Sequence, residues 1–353
     1  MHLPLRTLPS SRLGIAVAAL AATSLLLAGC GDKEASTDPE AAGAPGAPAG
    51  GTAEEPAPPA TWPLTGLPVA EGGSVDLKHP VMVTKMDNTE SSAPQLGLSK
   101  ADMVVEELVE GGATRLAAFY YSQLPEVVGP VRSMRASDIG IVSAVDADII
   151  TSGAAGVTIS RIQDAGITFF QEGAKGFFRE GSRSAPYNLM ARPKDVASVI
   201  KQKAARPDDY FTFGDAASLP KGQKATQFSA FFGGMHTTNW AYTNNGYVNQ
   251  NTYAAQGDEF PADTVLVLRA EVGDAGYRDP AGNFVPETKF EGSGQALLFH
   301  GGRVVKGTWK KDGLKGALRL TTQKGDSLAV PAGKTWVELV PDDASNGRVN
   351  YSK

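Results

Sequence analysis

Three patterns of apolar and polar residues succeed one another along the chain. Leu13 to Ala28 is a single apolar run behind Arg6 and Arg12, aperiodic and too short for a comfortable membrane span. Gly31 to Ala60 is dominated by Ala, Gly, Pro, Glu and Asp, with no aromatic residue and no apolar period, which predicts a disordered tether. From Trp62 onward, strand-type and helix-type periods alternate, and folding is expected to begin there.

VMVTKMDN, after His79-Pro80, reads as a strand ending in the polar pair Asp87-Asn88. Met103–Glu110 and Thr114–Tyr121 are two β-type runs around Gly111-Gly112, a hairpin signal because glycine supplies the positive φ that a tight turn needs. With a two-residue loop, Glu110 faces Ala113, Leu108 faces Arg115 and Glu106 faces Ala117. Arg115 then lies diagonally between Glu106 and Glu110. Met103, Val105, Val109, Leu116, Ala118 and Tyr120 form the core side, where Glu107 has no account. A slip of one residue exchanges the faces. Glu106, Glu110 and Arg115 are either a polar site or an ordinary cross-strand ion pair.

After Gly129-Pro130, the residues Ile139, Val142 and Val145 recur at helical spacing. A helix starting near Pro130 would project Arg132 and Arg135 from one side, close to an N-terminus that favours anions. A bound anion or the hairpin carboxylates would relieve that placement. Ala147–Ser152 and Gly166–Phe170 read as strands, and Val157–Ala165 and Lys194–Ala204 as helices. The loop Phe177–Asn188 between them carries Arg179, Arg183, Tyr187 and Asn188, a mix that often lines sites. Further on, TVLVLR (264–269), QALLF (295–299), RVVKGTWK (303–310) and TWVELV (335–340) are short runs bounded by turns.

The pattern predicts a signal peptide (1–29), a tether (30–60) and an α/β (α+β) N-terminal domain with a mixed sheet (61–206). A linker (207–226), a mainly β C-terminal domain (227–341) and a tail (342–353) follow. The length of 353 residues accommodates two such domains. A formal charge of −5 argues against a nucleic-acid partner, and loss of residues 1–29 with Arg6 and Arg12 would leave about −7.

Candidate chemistry is sparse. His2, His79, His236 and His300 show no metal-ligand spacing, so no metal and no cofactor are expected. There is no Gly-x-Ser-x-Gly elbow and no P-loop. Catalysis would rest on carboxylates, and glycoside cleavage needs two, which keeps Asp87, Glu106 and Glu110 in view. The chain's one cysteine ends Leu27-Ala28-Gly29-Cys30, which resembles a lipobox; there the thiol is alkylated with diacylglycerol and becomes the new N-terminus.

MDN (86–88), GLSKAD (97–102), ELVEGGATR (107–115), GPVRSMR (129–135) and SRSAPYNL (182–189) together resemble the YerB-type bacterial lipoproteins, a group without an assigned biochemical role. GSGQALLFHGGRVVKGTWKK (292–311) and GKTWVELVP (333–341) resemble that family's C-terminal domain. The resemblance carries polar positions onto Asp87, Asn88, Glu106, Glu110, Arg115, Arg132, Arg135, Arg183 and Asn188. Where the family often has histidine in Ala-Pro-His-Asn, this chain has Tyr187, which weakens a general-base role more than a binding role. The expectation is an exported protein, lipid-anchored through Cys30 to the outer face of the cytoplasmic membrane. Its Arg/Glu cluster would bind an anionic or polar envelope ligand such as a cell-wall polysaccharide, a peptidoglycan fragment or an envelope protein. A carboxylate-dependent glycan hydrolase and a scaffold without a small ligand are the alternatives.

Overall fold

The computed structural model describes residues 60–352. The expected signal peptide, Cys30 and nearly all of the expected tether lie outside the described residues. Thr335–Pro341 (TWVELVP) is the last strand to enter the main sheet, yet it takes a central place there. Every residue in it is buried, as befits a near-continuous apolar run with parallel neighbours on both sides. On one side it pairs with Thr264–Ala270, and on the other with Met103–Leu108, so that Val337 faces Leu266 and Val105.

The two arms of this eleven-stranded sheet diverge from that strand. Beyond Thr264–Ala270 come the antiparallel strands Gly292–His300, Arg303–Lys311 and Leu318–Thr322, the first reached after the separate pair Val272–Arg278 and Phe284–Thr288. Beyond Met103–Leu108 come Thr114–Tyr120 and Met82–Asn88, both antiparallel, then Asp148–Ile150 and Phe169–Phe170, both parallel. The chain is therefore mostly β, built on a large mixed sheet. The α-helices over residues 61–206 are Asp138–Val142, Gly156–Asp164 and Pro193–Ala197, less than the α/β pattern suggested.

Both faces of the sheet are covered. On one face Val83, Val105, Phe119, Leu266 and Leu339 pack against Ile139, Ile141 and Ile162 of the helices. On the other, Val104, Leu116, Val267 and Trp336 meet Phe228 and Trp240 of a four-stranded sheet. That second sheet runs Gly246–Asn249, Thr237–Thr243, Gln227–Phe231, Arg348–Ser352. Its last strand comes from the stretch expected as a tail: Val349 and Tyr351 alternate inward and pack on the core. The expected linker 207–226 contributes Phe213–Gly214, paired with Val330–Pro331, and Gln223–Lys224, paired with Arg303 and Val304.

Two local expectations need correction. The hairpin loop has three residues, Glu110 to Gly112, because Val109 N–H bonds to Ala113 O at 2.8 Å. The register moves by one: Glu107 faces Arg115, Glu106 faces Leu116 and Leu108 faces Thr114. Arg115 consequently shares a face with Glu107, and Glu106 lies on the opposite side of the sheet. Nor does a helix start at Pro130. Val131 bridges Met86, Asp87 N–H bonds to Pro130 O, and Arg132 N–H bonds to Lys85 O. Beyond the reach of Asp148–Ile150, the backbone groups at the end of Met82–Asn88 need partners, and extended residues 130–132 supply them.

Candidate functional site

The nominated residues gather at the carboxyl ends of the parallel strands, where ligands of mixed and parallel sheets commonly sit. They do not form one cleft. The sheet divides them into groups, and each group has its own electrostatic balance.

On the helix-covered face, Lys85 is fully buried with Nζ 2.7 Å from Glu107 and 2.8 Å from Asp138. Ser137 donates to the second oxygen of Glu107, and Arg135 N–H donates to Asp138 at 2.7 Å. Burial alone would lower the Lys85 pKa, but the two carboxylates raise it above the usual value. Burial pushes the Asp138 carboxyl up to about 6, with Lys85 opposing and Glu107 adding to that rise. This answers the question that Glu107 posed in the sequence. Its partner is a lysine from another strand.

Close by, Glu110 reaches out of the hairpin loop between two arginines. Arg135 holds it through Nε at 2.9 Å and through Nη2, and Arg115 Nη2 lies 3.2 Å away. Arg115 also donates to Ser133 O at 2.7 Å. Burial, and then the neighbouring Arg135 charge, bring the Arg115 guanidinium down to about 10. Burial would raise the Glu110 carboxyl, but its bond to Arg135 and the two positive charges hold it below the usual range. Both arginines are buried, so the trio is largely self-satisfied.

Arg132 is placed differently. Its Nε lies 2.8 Å from Asp87, its Cζ stands 5.2 Å over the ring of Tyr187, and its side chain is 21% exposed. Asp87 is oriented in turn by Thr89 N–H at 3.0 Å and the Thr89 hydroxyl. Arg183, although from the same loop as Tyr187, donates to Ser92 O and Pro94 O. Asn188 accepts from Arg179 at 2.7 Å. These two order the loop around the arginine and do not join it.

Asn88 and Glu106 belong to the opposite face. Asn88 Nδ2 donates to Glu106 at 3.0 Å and to Thr114 at 2.9 Å, and Glu106 also meets Thr238 and His236 of the second sheet. Its register partner is Glu338. Neither His236 nor Glu338 was nominated from the sequence. Glu338 lies inside an apolar run, and His236 stands 130 residues from Glu106 without a spacing motif. Glu106 is fully buried and Glu110 is on another face, so the two do not confront a common substrate as glycan cleavage would require.

Among the described residues, no cluster of three or more His, Cys, Asp and Glu side chains is arranged to hold a metal ion. No helix among them is long and apolar enough to cross a membrane. Surface hollows of about 540 and 480 Å³ lie elsewhere, the first beside Tyr210 and Phe213 and the second beside Ser229 and Asn239.

Residues 64–206 match the N-terminal domain, and residues 230–337 the C-terminal domain, of the family described as "Protein of unknown function (DUF3048)". The chain is 25% identical over 299 residues to "Putative lipoprotein YerB" of Bacillus subtilis (strain 168), covering 79% of this chain and 86% of that protein. The crystal structure of the YerB protein from Bacillus subtilis shares the fold, with a TM-score of 0.68 at 22% identity. The match covers 82% of this chain and 99% of that one. With both of its domains matched in order and the fold shared, the chain belongs to the DUF3048 family, to which YerB is similar in both sequence and structure.

Proposed function

We propose that this chain is an extracytoplasmic lipoprotein, anchored through lipidated Cys30 to the outer face of the bacterial cytoplasmic membrane, whose folded part binds an anionic envelope ligand at Arg132. The anchoring is supported by the lipobox-like Leu27–Cys30 and by the lipoprotein name of the relative. The observation that carries the binding role is the setting of Arg132. Its guanidinium is fixed on one side by Asp87, backed by an aromatic ring, and partly open to solvent. Arg115 and Arg135 stand in the same neighbourhood, so three cations face the two carboxylates Asp87 and Glu110. Of the three, Arg132 is the most open to solvent. A carboxylate or phosphate of a wall polymer or peptidoglycan fragment would take the open edge of Arg132, and Tyr187 would stack on an adjoining ring.

The test is binding of the full chain, purified in mild detergent, to soluble peptidoglycan fragments and anionic wall polysaccharide. Arg132→Ala is expected to weaken binding about tenfold or more, or about 1.4 kcal/mol, with the fold retained and some stability lost as buried Asp87 gives up its partner. Arg183→Ala, which alters a loop contact only, is expected to change it much less. Equal binding by wild type and Arg132→Ala would remove the proposal.

A further inference from the structure

Glu106 and Glu338 face each other across two parallel strands, on the same side of the sheet and fully buried. Two enclosed carboxyls side by side do not both ionise, because each charge lacks solvent and repels the other. The donors around them decide which one keeps the charge. Glu106 accepts from Asn88 at 3.0 Å, Thr114 at 2.7 Å and Thr238 at 3.0 Å, and His236 Nε2 lies 2.8 Å away. Glu338 accepts from Trp240 Nε1 at 2.7 Å; its other oxygen is buried and closes no hydrogen bond, although the buried indole N–H of Trp336 stands near. As a carboxylate Glu338 would leave a charge in the core with no cation beside it; as a carboxylic acid it can donate to Glu106, its register partner. Burial, and then the Glu106 charge, push the Glu338 carboxyl well above its usual range. Burial would raise Glu106, but the imidazolium of His236 holds it below.

The three groups come from three elements. Glu106 and Glu338 are on central strands of the long sheet, and His236 immediately precedes Thr237–Thr243 of the four-stranded sheet. His236 is 9% exposed and follows Met235, which is 90% exposed, so the cluster reaches solvent through the imidazole alone. We propose that Glu106, Glu338 and His236 form a proton-operated clasp: holding two protons, it fastens Thr237–Thr243 to the long sheet, and losing one, it lets that strand and the turn before it go. Among the described residues, the side chains that face the cluster from the neighbouring elements carry no further charge. The strands Met82–Asn88 and Thr114–Tyr120 present Asn88 and Thr114, and Thr264–Ala270 presents Val267 beside Glu338. Arg269, two positions further, is turned to Pro341 O, Gly347 O and Asp343. The second sheet presents Thr238 and Trp240, and the ring of Phe232 packs on His236. Glu107, on the far face, is paired with Lys85.

The signs follow from linkage. Glu338 has a raised folded value, so its contribution is complete below about 4.5, where the unfolded group titrates, and is lost as pH rises from there through the higher folded value. His236 is also raised, since Glu106 more than offsets the lowering due to burial; its contribution is complete below about 6.5 and is lost above. Glu106 is lowered and acts oppositely, losing its contribution as pH falls below about 4.5. From mildly acidic to alkaline pH the clasp can only weaken.

Two measurements on the full chain in detergent, with Glu338→Gln as the comparison, decide the matter. The glutamine keeps the shape and can donate to Glu106 but has no proton to lose. Infrared spectroscopy at neutral pH should show the carbonyl stretch of a dry, protonated carboxylic acid in the wild type and not in Glu338→Gln. Between about pH 5 and 6.5, the wild-type unfolding constant should rise about tenfold more per pH unit than that of the variant. Hydrogen exchange at alkaline pH should accelerate first in Gly233 to Thr243, ahead of Met103–Leu108. Absence of the infrared band, equal pH slopes, or acceleration spread evenly over both sheets would each overturn the clasp. Should Glu338→Gln fail to fold, the wild-type band and the order of exchange still decide.

Discussion

Lys85 is the clearest case of a single residue on which the fold depends. Its ammonium group sits between Glu107 and Asp138 with no solvent contact, one cation against two carboxyls. Removing one partner of a buried ionic group leaves an uncompensated charge, which typically costs about 3–5 kcal/mol. Lys85→Met is therefore expected to lower stability by that amount in urea titrations. The triple change Lys85→Met, Glu107→Leu, Asp138→Asn should recover much of the loss, since an apolar filling of similar volume is often neutral. A Lys85→Met protein as stable as the wild type would show that the triad carries no net weight. None of this was legible one residue at a time. Glu107 stood out only as a carboxylate on an apolar face, and the lysine that explains it lies 22 positions away, brought close by the pairing of Met82–Asn88 with the hairpin.

At the scale of elements, the hairpin at Gly111 shows what a pattern can and cannot specify. The two runs and the glycine pair identified both strands, but not whether the loop holds two residues or three. That one residue decides which carboxylate sits beside Arg115. Gly111 and Gly112 both have φ near +72°, but they differ in their surroundings. A Cβ on Gly111 would meet open space, whereas one on Gly112 would lie 3.0 Å from Met235 N and 3.1 Å from Gly234 Cα. Gly111→Ala should cost roughly 1–2 kcal/mol, the strain of a left-handed alanine. Gly112→Ala should cost clearly more, because it also displaces the neighbouring turn. Thermal melts of the two variants check this, and equal losses would mean that the turns are not in firm contact. The arginine-bearing segment differs from its pattern for a similar reason: helical spacing holds only over 139–145, and residues 130–132 spend their backbone bonds on a strand edge. Runs in the second half, such as 264–269, 303–310 and 335–340, fell within observed strands because alternation with turn-bounded ends is a local signal.

For the whole molecule, the order of strands matters more than their number. Two family domains follow one another in sequence, and one sheet takes strands from both of them. No local pattern shows that residues 335–341 return to lie against 103–108, because the pairing spans more than two hundred positions. This return places Glu338 beside Glu106 and brings Trp336 and Val340 into one core with Val104 and Leu116. The proposed clasp presupposes it. The most direct test is to express residues 61–206 alone and follow their thermal unfolding and amide dispersion. Without its central neighbour, Met103–Leu108 becomes an open, apolar edge, and the fragment is predicted to show no cooperative transition, recovering one when residues 207–353 are co-expressed with it. A fragment that folds cooperatively by itself, with wild-type protection at Met82–Asn88, would contradict the single-sheet account.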